Sequence, residues 1–122
     1  MEMLVVGLIR VLFKKHAVCD DTNNHVYFEL EVFVGETEQR MALRKRYKDF
    51  DNLRLAVSEN WYVPTPFPPK QVLSSLGRWR DVTFLDERQN QLALWVDSLL
   101  AMYQGQDVEV VPRAVVDFLT GS

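Results

Sequence analysis

A short basic run around one tyrosine is the part of the sequence whose residue types are best suited to binding chemistry. Four of the five residues from Arg44 to Lys48 are basic, and the fifth is Tyr47. Farther along, Lys70 follows two prolines and Arg88 interrupts an apolar helical pattern. Guanidinium and ammonium groups bind phosphate oxygens, and an aromatic ring offers a flat face to a ring-shaped partner. These residue types therefore predict a site for a ring-shaped polyanion.

Each of these features also has an ordinary structural explanation. A basic run commonly protects an edge strand from aggregation, and a tyrosine beside it is commonly an anchor of the core. Arg88 lies three residues after Leu85 and four before Leu92, the position of an arginine that covers the edge of a core with its aliphatic stem. The functional interpretation requires that separate elements bring these side chains together.

The composition predicts one soluble globular domain that spans residues 1–122. The chain has 48% hydrophobic and 25% charged residues, and its net charge is −3. This acidic balance disfavours nucleic acid as a partner and disfavours a bulk polybasic membrane tether, so the basic run must act locally. No apolar run approaches the roughly 20 residues of a membrane span. The apolar start also lacks the basic residues and cleavage site of a signal peptide, and we expect a cytoplasmic location.

The sequence contains no recognisable catalytic or metal-binding constellation. His16 and His25 are the only histidines, Cys19 is the only cysteine, and the five glycines are scattered. A lone cysteine forms neither an intrachain disulfide nor a cysteine metal cluster, and no serine has a recognisable nucleophile elbow. We therefore expect no enzyme activity, no catalytic residue, no metal and no cofactor.

The first part of the chain predicts three antiparallel strands. Apolar and β-branched residues from Met1 to about Lys14 indicate the first strand, and Cys19 to His25 indicates a polar turn region. Apolar residues alternate from Val26 to Val34, which is typical of a strand with one buried face. A tight reversal at Gly35-Glu36 leads into a third strand, Thr37 to Lys45.

The second part of the chain predicts helices. The first helix has Asp49 and Asp51 near its start, and its apolar residues at helical spacing are Phe50, Leu53 and Val57. Four prolines between Trp61 and Lys70 favour an extended segment. A long helix is predicted from about Val82 to Tyr103, with the apolar stripe Leu85, Leu92, Trp95, Val96, Leu99 and Leu100. A short last helix is predicted from Pro112, with an apolar face formed by Val115, Phe118 and Leu119.

This order of elements predicts an α+β fold. It consists of a three-stranded antiparallel β-meander followed by a helical subdomain, with a proline-rich loop between the first two helices. The helices are expected to pack on one side of the small sheet.

In this order, the basic and aromatic residues resemble the phox-homology (PX) domain, a phosphoinositide-binding module found in sorting nexins and oxidase subunits. The resemblance covers nearly the whole chain. It rests on Arg46-Tyr47-x-Asp49-Phe50 at the first helix, on Pro68-Pro69-Lys70, and on Arg88 early in the next long helix. It implies a peripheral membrane protein that binds phosphatidylinositol 3-phosphate on endosomal membranes and serves protein transport.

The resemblance also implies a role for each of four residues. Arg46 would pair with the 3-phosphate, Tyr47 would stack on the inositol ring, and Lys70 would meet the 1-phosphate. Arg88 would hydrogen-bond the 4- and 5-hydroxyl groups, which favours a lipid that is unmodified there. Lys48 stands where many members have serine, so we expect it to be an accessory phosphate contact that strengthens or broadens binding.

The segment after the proline-rich loop, Gln71 to Asp81, has two interpretations. It combines apolar residues with an arginine on either side of a tryptophan, which suits insertion at the headgroup level of a bilayer. In the family this region resembles the membrane-insertion loop. The apolar residues concerned are Val72, Leu73, Leu76 and Trp79. The alternative is a short amphipathic helix that packs the same residues into the core.

A protein-interaction module with weak or no lipid binding is the alternative function. The segment from Pro64 to Lys70 contains a Pro-x-x-Pro core beside a basic residue, which an SH3 domain can recognise. An exposed loop would support this alternative, whereas a loop with Lys70 turned into the pocket would oppose it.

Overall fold

The computed structural model describes residues 9–20, 25–34, 39–59, 63–69, 82–102 and 112–121. Four strands come first and three helices follow, which confirms the predicted α+β class. The strands are β1 (Ile9–Phe13), β2 (Val18–Asp20), β3 (His25–Val34) and β4 (Gln39–Lys45). The helices are α1 (Tyr47–Ser58), α2 (Val82–Met102) and α3 (Arg113–Thr120).

Strand β3 is the centre of the sheet. It pairs antiparallel with β1, from Ile9 opposite Val34 to Phe13 opposite Leu30. On β4, Gln39 lies opposite Val34 and Lys45 lies opposite Phe28. The alternating residues of β3 that face the helices are among the most buried in the described chain: Phe28, Leu30 and Val32. The alternation seen in the sequence therefore predicted the buried face of this strand correctly.

The segment before β3 differs from its prediction as a polar turn. Val18–Asp20 forms β2, which pairs with the first three residues of β3. Four residues, 14–17, separate β1 from β2, whereas only two residues separate their partners on β3. A bulge therefore breaks the strand pairing just after the predicted end of the first strand at about Lys14. Gln89 of α2 joins this break to the helices by donating a hydrogen bond of 2.6 Å to the Lys14 carbonyl.

The core lies between the sheet and the helices, around a cluster of phenylalanine rings. Phe50 of α1 is fully buried, and its ring centroid lies 5.9 Å from Phe13, 6.1 Å from Phe28 and 5.0 Å from Phe118. The predicted apolar stripes of all three helices are buried in the structure. Gly121, with a φ of 76°, ends α3 in the left-handed conformation that favours glycine.

The proline-rich segment connects the first two helices, as predicted. Residues 63–69 form no regular helix or strand, and Val63 and Phe67 pack against the core. Among the described residues, no helix is long and apolar enough to cross a membrane. Residues 70–81, which follow this segment, lie outside the described part of the chain.

Candidate functional site

Arg46 occupies the junction between β4 and α1. Its backbone is extended (φ −95°, ψ 165°), and its N–H donates to Asp49 Oδ2 at 2.8 Å. The Asp49 N–H in turn donates to the Arg46 carbonyl at 2.9 Å. Asp49 stands at the third helical position, where a carboxylate reaches back to the residue before the helix. The acidic and apolar members of the Arg46-Tyr47-x-Asp49-Phe50 motif are thus structural, since they fix the place from which Arg46 and Tyr47 project.

The Arg46 side chain extends to the start of β3. Its Nη1 lies 2.9 Å from Nε2 and 3.1 Å from Nδ1 of His25, and both residues are half-buried. His25 was weighed from the sequence only as a candidate for catalysis and is not among the residues predicted for the site. The two residues are 21 positions apart, so no local spacing in the sequence indicates this contact.

Tyr47 is tied to the proline-rich segment. Its hydroxyl donates a hydrogen bond of 2.6 Å to the carbonyl oxygen of Pro68, and its ring centroid lies 5.6 Å from that of Phe67. Burial raises the pKa of the Tyr47 hydroxyl above its ordinary value of 10.0. The hydroxyl is therefore a neutral donor at any physiological pH.

Arg88 of α2 lies on the Tyr47 ring. Its Cζ is 4.2 Å from the centroid of Tyr47 and 4.8 Å from the centroid of Phe84, and its Nη2 donates to the Pro69 carbonyl at 3.0 Å. Burial lowers the pKa of the Arg88 guanidinium below its ordinary value. This arginine therefore does more than cover the core with its stem, because its charged end contacts two rings and the loop. Phe84 was not predicted as part of the site.

The proline-rich segment is held by both helices that flank it. The Phe67 ring lies 5.2 Å from the Trp95 ring, and the Arg54 guanidinium lies 5.1 Å from the Phe67 centroid. Pro68 is buried, although Pro66 and Pro69 are exposed. The two prolines of the Pro-x-x-Pro core are thus exposed, whereas Phe67 and Pro68 between them are packed, and Lys70 lies outside the described residues; the SH3 alternative stays a prediction without support from the comparisons.

The remaining cations of the basic run point elsewhere. Arg44 Nη2 lies 3.3 Å from Glu29 Oε2, and its guanidinium also covers the Tyr27 ring at 5.4 Å. Lys45 is half-buried, with its Nζ 4.7 Å from the Phe118 centroid. The run is therefore not one cationic cluster, since Arg44, Lys45 and Arg46 each contact a different group.

Some residues predicted for the site remain untested. Lys48 is exposed in the first turn of α1. Lys70 and the four residues expected to insert in the membrane, Val72, Leu73, Leu76 and Trp79, lie outside the described residues. The carbonyl that accepts the hydrogen bond from Arg88 belongs to Pro69, which directly precedes Lys70. Within the described ranges, no group of three or more His, Cys, Asp or Glu side chains is arranged to hold a metal ion.

Comparison with known protein families identified a match. A protein-family model, described as the PX domain, matches residues 33–120, which is more than half of the chain. A search of curated proteins and a search of solved structures each returned no match. The matched range includes every residue from Arg46 to Arg88 that was predicted for the site, but it does not include His25.

Proposed function

This chain belongs to the PX domain family, and from that premise we propose that it recognises phosphatidylinositol 3-phosphate and brings its host protein to endosomal membranes. PX domains are non-catalytic, phosphoinositide-binding modules that target membranes. The observation that carries the proposal is the contact of Arg88 with Tyr47, directly beside Arg46 and the proline-rich segment. Helix α1, helix α2 and the proline-rich segment thereby each contribute to the surface around the Tyr47 ring.

Arg46 is the proposed partner of the 3-phosphate. Its planar guanidinium can donate two parallel hydrogen bonds to phosphate oxygens, which makes the pairing both strong and oriented. It also directly precedes the first turn of α1, where the helix dipole favours an anion. Lys48, exposed in that turn, is the proposed accessory contact to the same phosphate.

Tyr47 and Arg88 are the proposed partners of the inositol ring. The Arg88 guanidinium covers the Tyr47 ring at 4.2 Å, so an inositol that stacks on this ring displaces the guanidinium towards the edge of the sugar. From there its N–H groups can donate to the 4- and 5-hydroxyls, which favours a lipid without phosphates at those positions. Lys70, which follows Pro69, is the proposed partner of the 1-phosphate.

A second contact with the bilayer completes the proposed mechanism. Headgroup recognition is supplemented by insertion of apolar side chains from the segment after the proline-rich loop: Val72, Leu73, Leu76 and Trp79. Tryptophan is suited to the headgroup level of the bilayer, and basic residues beside it add about 1 kcal/mol each at an anionic surface.

The test is vesicle co-sedimentation at physiological salt with each singly and multiply phosphorylated phosphoinositide. We expect binding to the 3-phosphate lipid, and we expect Arg46→Ala to abolish most of it because the phosphate loses its bidentate partner. Arg44→Ala is the matched control, since it removes the same charge from a side chain that pairs with Glu29. Equal losses in both variants would indicate general charge attraction instead of a defined pocket.

Two other results would change the assignment. If Arg46→Ala bound such vesicles as well as the wild type, the proposed pocket would be wrong. If the wild type bound no phosphoinositide, the chain would be a PX scaffold whose surface serves another partner.

A further inference from the structure

The contact between His25 and Arg46 has an unusual geometry. One guanidinium nitrogen, Nη1 of Arg46, lies at nearly the same distance from both ring nitrogens of His25, 2.9 and 3.1 Å. An approach in the plane of the ring at these distances would overlap the carbon between the two nitrogens. The guanidinium nitrogen therefore lies over the face of the imidazole, and the in-plane positions of the ring nitrogens are directed away from it.

This geometry makes the contact sensitive to the charge of the histidine. A neutral imidazole tolerates a cation on its face, whereas a protonated imidazole places two positive charges in contact. An anion beside both groups removes that conflict, because each ring nitrogen of a protonated histidine is a hydrogen-bond donor. A phosphate oxygen bonded to Arg46 Nη1 would lie close to the His25 ring, and a rotation of the imidazole about its side-chain bonds would aim one of its in-plane N–H groups at that oxygen.

We propose that His25 is a further phosphate-binding residue of this site, and that binding of the phosphate is coupled to protonation of its ring. The proposal rests on the proposed function, because it assumes that Arg46 holds a phosphate of the headgroup. In the bound state the imidazolium donates a charge-assisted hydrogen bond to the phosphate beside the guanidinium. The bound protein therefore takes up a proton, and affinity for the headgroup rises as the pH falls.

Other ionisable groups surround His25. The Tyr27 hydroxyl, on the same strand, lies 3.5 Å from His25 Nδ1, and the Arg44 guanidinium covers the Tyr27 ring. On β2, Asp20 is the register partner of His25. Protonation of the phosphate itself has the opposite effect on affinity, since a phosphate monoester loses negative charge below about pH 6 and then binds cations more weakly. A variant without the imidazole is therefore needed to isolate the contribution of His25.

The first test compares affinity for vesicles that contain phosphatidylinositol 3-phosphate at about pH 7.5 and about pH 6, the range in which histidine ordinarily changes its charge. We expect the wild type to bind about fivefold more tightly at the lower pH, the gain over this range if binding raises the titration midpoint of the histidine by about one pH unit. His25→Gln should lose this increase. His16→Gln is the matched control, because His16 is exposed and contacts Asp86 at 3.1 Å instead of Arg46, and it should keep the increase.

The second test uses the wild-type protein, so it does not depend on how a variant folds. The ring protons of the two histidines are followed by NMR through a pH titration, with and without soluble inositol 1,3-bisphosphate. Saturation with this headgroup should move the titration midpoint of His25 upwards by about one pH unit and leave that of His16 in place.

The outcomes separate this proposal from the proposed function. If the wild type binds but its pH dependence is the same in His25→Gln, or if the headgroup leaves the His25 midpoint unchanged, His25 is not a phosphate ligand and the proposed pocket stands. If the wild type binds at neither pH, both proposals are overturned.

Discussion

Replacement of Tyr47 by phenylalanine separates the structural role of this residue from its proposed role in binding. The change removes only the hydroxyl, which donates a hydrogen bond of 2.6 Å to the Pro68 carbonyl. It keeps the ring, and with it the contacts with Phe67 at 5.6 Å and with the Arg88 guanidinium at 4.2 Å. Tyr47→Phe therefore tests whether one hydrogen bond anchors the proline-rich segment.

The expected loss of stability follows from the burial of the acceptor. A hydrogen bond contributes about 0.5–1.5 kcal/mol net, and a buried acceptor left without a donor costs about 1–3 kcal/mol. Pro68 is buried and Tyr47 is half-buried, so we expect the free energy of unfolding to fall by about 1–2 kcal/mol. For a chain of 122 residues, this corresponds to a decrease in melting temperature of roughly 4–8 °C.

The pH dependence provides a second check on the same hydrogen bond. Because burial raises the pKa of the folded-state Tyr47 hydroxyl, the associated stability is fully present below the ordinary value of 10.0 and is lost as the pH rises through the folded-state pKa. Phenylalanine cannot ionise. The difference in free energy of unfolding between the wild type and Tyr47→Phe should therefore narrow above about pH 10.

The measurements are denaturant unfolding at neutral and alkaline pH and titration with soluble inositol 1,3-bisphosphate. We expect headgroup affinity to remain within about twofold of the wild type, because the ring that stacks is retained. An unchanged free energy of unfolding would refute the anchoring role of the hydroxyl. Normal stability with a large loss of affinity would mean that the hydroxyl contacts the ligand instead.

The other predictions concern the remaining parts of the site. Arg88→Lys should weaken binding of the soluble headgroup about tenfold, because lysine keeps the charge but loses the planar group that contacts two rings. Arg113→Lys, a change at an exposed ion pair within α3, should have no effect, and equal affinities in the two variants would contradict a binding role for Arg88. Trp79→Ala should weaken vesicle binding and leave soluble-headgroup affinity nearly intact; equal losses in both assays would make Trp79 a core residue.

Much of the fold could be predicted because helices and strands have different periods. The apolar stripe of α2 and the alternation along β3 identified residues that the structure buries. The bulge before β2 could not be predicted in this way. Asp20 has low strand propensity and begins a run of polar residues, and pairing with β3 overrides this local preference.

The candidate site, like the fold, could be predicted only in part. The motif from Arg46 to Phe50 indicated the junction of strand and helix, and Arg88 was recognised as a cation within an apolar stripe. Its position between Tyr47 and Phe84 could not be predicted, because it depends on how the proline-rich segment packs against α2. The partner of Arg44 could not be predicted either. This arginine belongs to the basic run, but in the structure it forms an ion pair with Glu29.

By itself, the sequence determined the three described helices, three of the four described strands and the residues available for phosphate recognition, because these depend on local periodicity and side-chain chemistry. Only the tertiary structure decided which cation meets which partner. His25 and Arg46 are 21 positions apart, and their contact depends on the register of β3 and β4. A shift of one residue in that register would turn each side chain to the other face of the sheet. The register depends on the packing of the whole core, so it cannot be predicted from any short segment of the sequence.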